Sequence, residues 1–467
     1  MRMGDYDSAE RSLGRLLATL RERTIDPTRD LDTRVEIVWA MRNRAESLYF
    51  LGRQSEAIEL TENALAEAEG IRRDFPGDSR SHAVVMAIRW DLARRLDELG
   101  PSETSVARLR RLLDDCRLAL AEKPDDLEPR ILMAEVSERM GIVLMKLERG
   151  EEAEQSLRQA ADIVQELQGG KFPDVSCLQY DDDAIHRSLG DVLMQNDHPE
   201  EAVDAYTRSL EASQRRAARG EIRHFGGENL WQNRAASHQR RAKAYERLGR
   251  LSDGVQDLRS ALADIERWRE SVGDEPESIR LRAWWLDDLA RMISSGGGSD
   301  DELIETLQTL ADYRETHLEL LEPQADYLRT IAAYRELAAD LLTKQERYDE
   351  AAALLVRAGE TRRRMLDEAS EAERPKHRVA IAEGRRILSR VLRSAKRAAE
   401  AEQELAAALE MFDQLALELS GQAEQEAERD DVLQRAARTR HDDGDRLVSE
   451  KRLDEAIVRF TEALTTR

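Results

Sequence analysis

The sequence predicts an all-α protein built as a solenoid, in which antiparallel helix pairs stack along a chain of 467 residues. Two observations carry this prediction. Small residues recur in steps of twelve and then seven, and the sets follow a period of about fifty residues, as in a structural repeat. The composition, with 4% aromatic and 36% charged residues, is typical of long exposed helices and not of sheets.

The small residues mark the places where two helices approach each other. The sets are Ala45, Ala57 and Ala64; Gly141, Ala153 and Ala160; Gly190, Ala202 and Ser209; Ala242, Gly254 and Ala261; Ala339, Ala351 and Ala358; and Gly444, Ala456 and Ala463. A larger side chain at the first two positions of a set would hold two antiparallel backbones apart. Because seven residues make almost two helical turns, the third small residue returns to the same face.

A short segment between the first two positions of each set ends one helix and begins the next. These segments are LGRQSEA (51–57), LERGEEA (147–153), NDHPEEA (196–202), LGRLSDG (248–254), QERYDEA (345–351) and EKRLDEA (450–456). They fix the phase of every helix pair. The spacing predicts helices of about twenty residues, or about 30 Å.

These positions resemble the tetratricopeptide repeat (TPR), whose pattern has a small residue at its eighth position, alanines at its twentieth and twenty-seventh, and bulky residues between them. Bulky residues match at Leu48, Leu144, Leu193, Tyr245 and Leu342 in first helices and at Leu157, Tyr206, Leu258, Leu355 and Phe460 in second helices. The repeat of about fifty residues is longer than the family's usual length of about 34. Two further repeats, around Val106 and Ile304, are degenerate.

The resemblance is to the TPR tracts of bacterial proteins, and it implies a superhelix of about nine repeats plus an N-terminal half-repeat. We expect one domain over residues 1–467. The segment SSGGGSDD (294–301) is either a flexible break or the turn of a degenerate repeat. We favour the turn because the period of the repeat is kept across it.

Composition also limits the classes of function. A net charge of -23 makes nucleic acid an unsuitable main partner, since a phosphate backbone requires a basic surface. No apolar run reaches the length of a membrane span, and the first residues lack the apolar core of a signal peptide. Cys116 and Cys177 are too far apart in sequence for a metal spacing or a disulfide framework. We therefore expect a cytoplasmic protein that has no membrane partner.

The sequence predicts no enzyme, no metal and no cofactor. HDDGD (441–445) contains metal-ligand residue types, but Gly444 places it on a first helix, where five neighbours point around the circumference. The acids of YDDDAIH (180–186) fit the capping of a first helix. HRSLGDVLMQN (186–196) faintly resembles a kinase catalytic loop, but Ser188 stands in place of the catalytic aspartate.

A row of arginines is the most specific functional candidate. Arg386, Arg390, Arg393 and Arg397 are spaced by four, three and four residues, which predicts one helical face. Counting back from Ala401, the first three occupy positions that line the concave groove in the resembling family. The row is either a solvated face balanced by acids of neighbouring repeats, or a clamp for an acidic peptide or a C-terminal carboxylate.

Two aromatic residues of the second repeat, Trp39 and Tyr49, fall on the groove side by the same count. They are either apolar anchors for a partner or packing residues.

Two functions remain open at this stage. The first is a non-catalytic scaffold that binds a peptide or a partner domain on its concave face. The second is the regulatory or docking part of a larger bacterial signalling protein, such as a serine/threonine kinase whose catalytic domain is not in this chain. The chain opens at MGDYDSA, in the middle of a repeat, and its last helix has no capping helix after it. We therefore expect either an upstream domain or self-association through uncapped ends.

Overall fold

The computed structural model describes residues 3–23, 31–76, 78–98, 101–169, 182–220, 229–273, 275–420 and 426–466. In these ranges the chain forms nineteen α-helices in a paired arrangement, which confirms the predicted all-α fold of helix pairs. The helices group into an N-terminal unit, Met1–Gly249, and a C-terminal unit, Arg250–Arg467. The description of residues 1–467 as one domain stays a prediction.

The helices of the N-terminal unit are α1 (Met3–Arg23), α2 (Leu31–Phe50), α3 (Gln54–Asp74), α4 (Ser79–Glu98), α5 (Glu103–Glu122), α6 (Leu127–Lys146), α7 (Gly150–Gly169), α8 (Asp182–Gln195), α9 (Pro199–Ala218) and α10 (Leu230–Arg247). Within this unit α2 packs on α3, α6 on α7 and α8 on α9. The first helix, α1, packs on α2 from the preceding side, where a second helix belongs.

The helices of the C-terminal unit are α11 (Leu251–Val272), α12 (Pro276–Met292), α13 (Asp300–Thr316), α14 (Gln324–Lys344), α15 (Tyr348–Glu368), α16 (Arg374–Ser394), α17 (Ala398–Glu418), α18 (Glu426–Ser449) and α19 (Leu453–Thr466). Here α14 packs on α15, α16 on α17 and α18 on α19, and α15 also packs on α16. Most of the helices have 20 or 21 residues, as the spacing predicts.

The small residues of the repeat lie at the close approach of paired helices, and every one of them is buried. At three of these positions the residue is a glycine that faces a bulky side chain sixteen residues later. A Cβ atom on Gly141 would lie 2.4 Å from Leu157 Cγ, and one on Gly190 would lie 2.4 Å from the Tyr206 ring. The second helix therefore packs against the bare backbone of the first.

Six helix pairs are closed by the same turn, in which one residue has a left-handed backbone. In the described pairs this residue is Gly52, Glu148, Asp197, Glu346, Lys396 or Lys451, with φ between 60° and 77°. The backbone N–H of the next residue then donates to a carbonyl five residues earlier, as from Arg397 to Leu392 at 2.8 Å. This hydrogen bond satisfies a carbonyl that the end of the first helix leaves unpaired.

The segment 294–301 connects α12 and α13. A π-helical turn, Ile293–Gly297, contains Gly296 with φ of 107°, a conformation that glycine adopts without a Cβ clash. Ser299 then caps α13, because its side chain accepts from the Glu302 N–H while the Glu302 side chain accepts from the Ser299 N–H. Gly297 and Gly298 lie in tight places, because a Cβ atom there would lie 2.9 Å from the Met292 carbonyl oxygen and 2.5 Å from Glu302 Oε2, respectively.

We predict that Gly190→Ala destabilises the N-terminal unit by about 1–3 kcal/mol, because the added methyl overpacks the helix contact. Tyr206 cannot easily move aside, since its ring is buried and its hydroxyl donates to Asp191 at 2.7 Å. Urea unfolding followed by circular dichroism measures the change.

Gly14→Ala in α1 is the matched control. Its Cβ would meet no atom nearer than 3.6 Å, so the better helix propensity of alanine should stabilise the unit by about 0.5–1 kcal/mol. Equal effects of the two changes would contradict the packing explanation.

Candidate functional site

The first helices α14, α16 and α18 of the C-terminal unit border two neighbouring cavities. One cavity of about 320 Å³ lies between α14 and α16, with Leu355 of α15 at its wall. The second, also of about 320 Å³, lies between α16 and α18, with Leu405 of α17 at its wall. Each cavity is thus lined mainly by two first helices and is closed on one side by a second helix. Together, the first helices α14, α16 and α18 line a groove.

Arg390 of α16 lies between the two cavities and lines both of them. Its side chain is exposed. Among the residues that the structure describes, none forms an ion pair or a hydrogen bond with its guanidinium group. Arg390 is therefore a cation in the groove whose charge stays available.

Arg386, one turn earlier on α16, is half-buried and already holds two carboxylates. Its Nε donates to Glu383 at 2.8 Å, and its Nη1 donates to Asp442 of α18 at 3.5 Å. The ion pair between Arg386 and Asp442 therefore links α16 to α18 beside the cavity. Arg386 is thus held at the groove by its own chain, as the solvated-face interpretation expects.

Arg393, one turn later on α16, belongs to a partly buried ion cluster around Asp443. Asp443 is only 3% exposed and accepts from Arg393 at 3.4 Å, from Arg446 at 2.9 Å and from Arg459 at 3.2 Å. Burial, and then repulsion by the Arg446 cation, lower the pKa of Arg393. Arg393 therefore contributes positive potential to the groove but is fixed by a structural contact.

Arg397 does not continue the row, so the prediction that four arginines share one helical face is wrong for this residue. The helix α16 ends at Ser394, and Arg397 is the residue before α17. It pairs with Glu400 at 2.6 Å and with Asp349 at 3.5 Å, and the hydrogen bond to Glu400 lowers the pKa of that carboxyl. The helical spacing was extended through a turn, where it no longer applies.

Arg397 has equivalents in other repeats, which explains its place. An arginine before the second helix pairs with the glutamate three residues later at Arg53, Arg149, Arg347 and Arg452 as well, with distances of 2.5–2.7 Å. The recurring Arg-x-x-Glu spacing in the turn segments is the signal that identifies this capping role from sequence.

Trp39 and Tyr49 belong to the N-terminal unit, and the ring of each is covered by neighbours. Trp39 packs against the hydrophobic core, and the Arg42 guanidinium lies 5.3 Å from its ring centre. Tyr49 packs on the cluster of Ala45 and Leu48, and Arg95 lies 5.8 Å from its ring centre. Their local surroundings are those of packing residues, and a binding role for them stays a prediction.

Ser389 is a groove residue that the sequence analysis missed. It is fully buried and lines the cavity between α16 and α18, and its hydroxyl has no hydrogen-bond partner in the described part of the chain. It occupies the small-residue position of α16, since Ala401 follows after twelve residues and Ala408 after seven more. The steps of twelve and seven could have identified it.

The HDDGD segment lies within α18, as predicted. His441 pairs with Asp445 at 3.3 Å, while Asp443 points to the arginines of the ion cluster. Within the described ranges, no group of three or more histidine, cysteine, aspartate and glutamate side chains is arranged to hold a metal ion. In the same part of the chain, no helix has the length and apolarity of a membrane span.

No protein-family model and no curated protein matches this chain. A solved structure of a putative kinesin light chain from Podosopora anserina, with nearly identical TPR-like repeats, is similar to it at 18% identity over 49% of this chain and 95% of that one, with a TM-score of 0.33. PilF of Pseudomonas aeruginosa is similar at 16% identity over 64% of this chain and 99% of that one, with a TM-score of 0.32.

A Rap protein complexed with Competence and Sporulation Factor is similar at 14% identity over 92% of this chain and 98% of that one, with a TM-score of 0.31. TPR-like repeat proteins are thus among the structural neighbours of this chain. Because the scores are low, the packing of the chain's own helices is the basis for describing its fold.

We predict that Asp443→Ala destabilises the C-terminal unit by about 1–3 kcal/mol. The guanidinium groups that pair with the Asp443 carboxylate would lose their common partner in a partly buried cluster. Asp442→Ala is the matched control, since Asp442 is the neighbouring residue and its side chain is 56% exposed. Thermal unfolding measures both variants. A loss as large for Asp442→Ala would contradict the importance of the buried cluster.

Proposed function

We propose that this protein is a non-catalytic interaction scaffold, and that the groove formed by α14, α16 and α18 binds an acidic peptide segment of a protein partner. The observation that carries the proposal is the state of Arg390. It is exposed at the junction of two cavities, and its guanidinium is not neutralised by any described residue. A carboxylate is the group that a free guanidinium in a groove recognises best.

The neighbouring arginines strengthen this site without binding the ligand by themselves. Arg386 and Arg393 flank Arg390 on the same helix and are positioned by Asp442 and Asp443. Their side chains are therefore ordered before a ligand arrives, which reduces the entropy lost on binding. The cavity between α16 and α18 is lined by four arginines, Arg446 included, and by two aspartates, whereas the cavity between α14 and α16 adds the acids Glu336 and Asp340.

Magnitudes limit what the arginine can supply. A charge-assisted hydrogen bond contributes about 1.5–3 kcal/mol, and an exposed ion pair only about 0–1 kcal/mol. Micromolar binding requires about 8 kcal/mol. We therefore assign to Arg390 the selection of an acidic group, and the remaining affinity to apolar contacts in the groove.

A cytoplasmic location is part of this proposal. Cys116 is a free, buried cysteine whose thiol pKa is raised to about 11 by burial. Such a thiol is unreactive and serves packing. A buried free cysteine fits a protein that is kept in a reducing compartment.

We predict that Arg390→Glu weakens the binding of a fluorescein-labelled Gly-Ser peptide that ends in two aspartates by about tenfold or more, because it replaces the free cation with a repelling charge. Fluorescence anisotropy at low ionic strength measures the dissociation constant. A substitution of Arg390 tests binding most directly, because Arg393 also holds the ion cluster and Arg397 caps α17.

Arg363→Glu is the matched control. Arg363 lies on the second helix α15, is exposed, and has no ion pair with a described residue. The substitution Arg363→Glu changes the net charge of the protein by the same amount as Arg390→Glu, but Arg363 lies outside the groove helices. Equal losses in the two variants would reject the groove site in favour of a general charge effect.

We also predict that Asp442→Asn strengthens the binding of the same peptide several-fold. Asp442 is exposed and competes for Arg386 at 3.5 Å, so its neutralisation frees the Nη1 group of Arg386 for the ligand while Glu383 keeps the Nε group. Anisotropy titrations of the variant and the wild type measure the effect. Weaker binding by Asp442→Asn would contradict the competition between Asp442 and the ligand.

A further inference from the structure

The groove of the C-terminal unit continues from Arg390 onto two exposed apolar residues, Leu337 on α14 and Trp284 on α12. Trp284 is 53% exposed and Leu337 is 45% exposed. Large apolar side chains with this exposure are commonly contact residues when they line a concave surface beside a charged group. Their value as anchors depends on whether they face the same groove as Arg390.

The contacts of α14 place Leu337 on the groove face. On one flank of α14, the Tyr334 hydroxyl donates to Asp287 of α12. On the other flank, Glu336 and Thr343 line the cavity shared with α16. By helical periodicity, Leu337 lies between these two flanks and opposite the buried face of α14. The Leu337 side chain therefore projects from α14 into the groove, between α12 and α16.

The same reasoning places Trp284 on the groove face of α12. Asp287 marks the flank of α12 that contacts α14. The buried face of α12 carries Leu286, Ala290 and Ile293. Trp284 lies almost one turn before Asp287 and is turned away from that buried face, so it borders the groove on the side of α14.

The three side chains follow a diagonal line across successive first helices. Trp284 lies six residues before Ala290, a buried small residue of α12 that precedes Ala339 by about one repeat period, although it belongs to no set with steps of twelve and seven. Leu337 lies two residues before Ala339, and Arg390 lies one residue after Ser389. The two steps thus advance about 6 Å and about 4.5 Å along the helix axes. Neighbouring helices are about 10 Å apart, so each step of the line spans about 11–12 Å.

We propose that the groove binds an extended peptide that places two apolar residues on Trp284 and Leu337 and an acidic residue on Arg390. This inference rests on the proposed function, in which Arg390 selects the acid. An extended chain covers about 3.3 Å per residue, so successive anchors of the peptide lie three or four residues apart. The partner is an apolar and acidic segment of a protein, read over about seven residues.

Charge and exposure favour this occupant over a helix or a basic segment. Arg386, Arg390 and Arg393 provide positive potential at one end of the line, while the apolar pair provides contact area at the other. The span of two helix steps suits an extended chain, whereas a helix of seven residues is only about 10 Å long. The peptide thus gains from Trp284 and Leu337 the affinity that Arg390 does not supply.

The test uses fluorescein-labelled Gly-Ser peptides and the full chain. The anchored peptide carries leucines about seven and about three residues from an aspartate, and it is made in both sequence orders. A second peptide keeps the aspartate but has serines in place of the leucines. A third has both leucines directly beside the aspartate. Anisotropy titrations at physiological salt give the dissociation constants.

The anchored peptide should bind about tenfold more tightly than the other two peptides in one of its two orders. Trp284→Ala and Leu337→Ala should each reduce that advantage several-fold and should leave the serine peptide unaffected. Leu417→Ala is the matched control, because Leu417 is 75% exposed on the second helix α17 of the same unit. Circular dichroism spectra verify that the variants fold.

The outcomes separate this inference from the proposed function. Equal binding of the three peptides, or unchanged binding by Trp284→Ala and Leu337→Ala, overturns the apolar anchors while Arg390 retains its role. Unchanged binding by Arg390→Glu overturns the proposed function itself. A loss in Leu417→Ala as large as in Leu337→Ala also overturns the inference, since the apolar contact would then not be specific to the groove.

Discussion

The structure depends on the close approach of two helix backbones at the small residues of the repeat. At Gly141 and Gly190 the second helix places a bulky side chain where a Cβ atom of the first helix would otherwise lie. This contact fixes the position of the second helix along the axis of the first, because a shift by one residue would place a different side chain against the glycine. Once the register is fixed, the outward face of every first helix is fixed as well.

The turns impose a second constraint, and together with the helix register they separate the arginines into different roles. The left-handed residue in these turns ends the first helix. In five of the six turns the next residue is an arginine that precedes the second helix and pairs with the glutamate three residues later, and His198 takes this place in the sixth. Arginines inside α16 follow the helical period instead and reach the groove. Arg393 and Arg397 are close in sequence, yet one holds a partly buried carboxylate of α18 and the other caps α17. Sequence proximity of like charges therefore does not define a binding site in this fold.

The sequence predicts the fold well because its signal is local. Small residues in steps of twelve and seven report one helix pair at a time, and the helices, their length and their turns follow from them. The site is less predictable. Asp442 and Asp443 neutralise groove arginines from the next repeat, and the period of about fifty residues places the two helices side by side without indicating which acid pairs with which arginine. Trp284 was missed for another reason. It lies before the degenerate repeat around Ile304, where the small-residue count that locates the groove is absent.

The distribution of charge in the groove indicates how an acidic protein can select an acidic segment. The chain has a net charge of -23, which repels a negative ligand at long range, but salt screens charges beyond about 8 Å under physiological conditions. Within that distance, the cavity between α16 and α18 presents four arginines against two aspartates. Under the proposed function, the carboxylates that hold Arg386 and Arg393 compete with an acid of the ligand, so Arg390 is its principal partner. An acid in another register would meet the carboxylate of Asp442 or Asp340, and this repulsion adds to the selectivity.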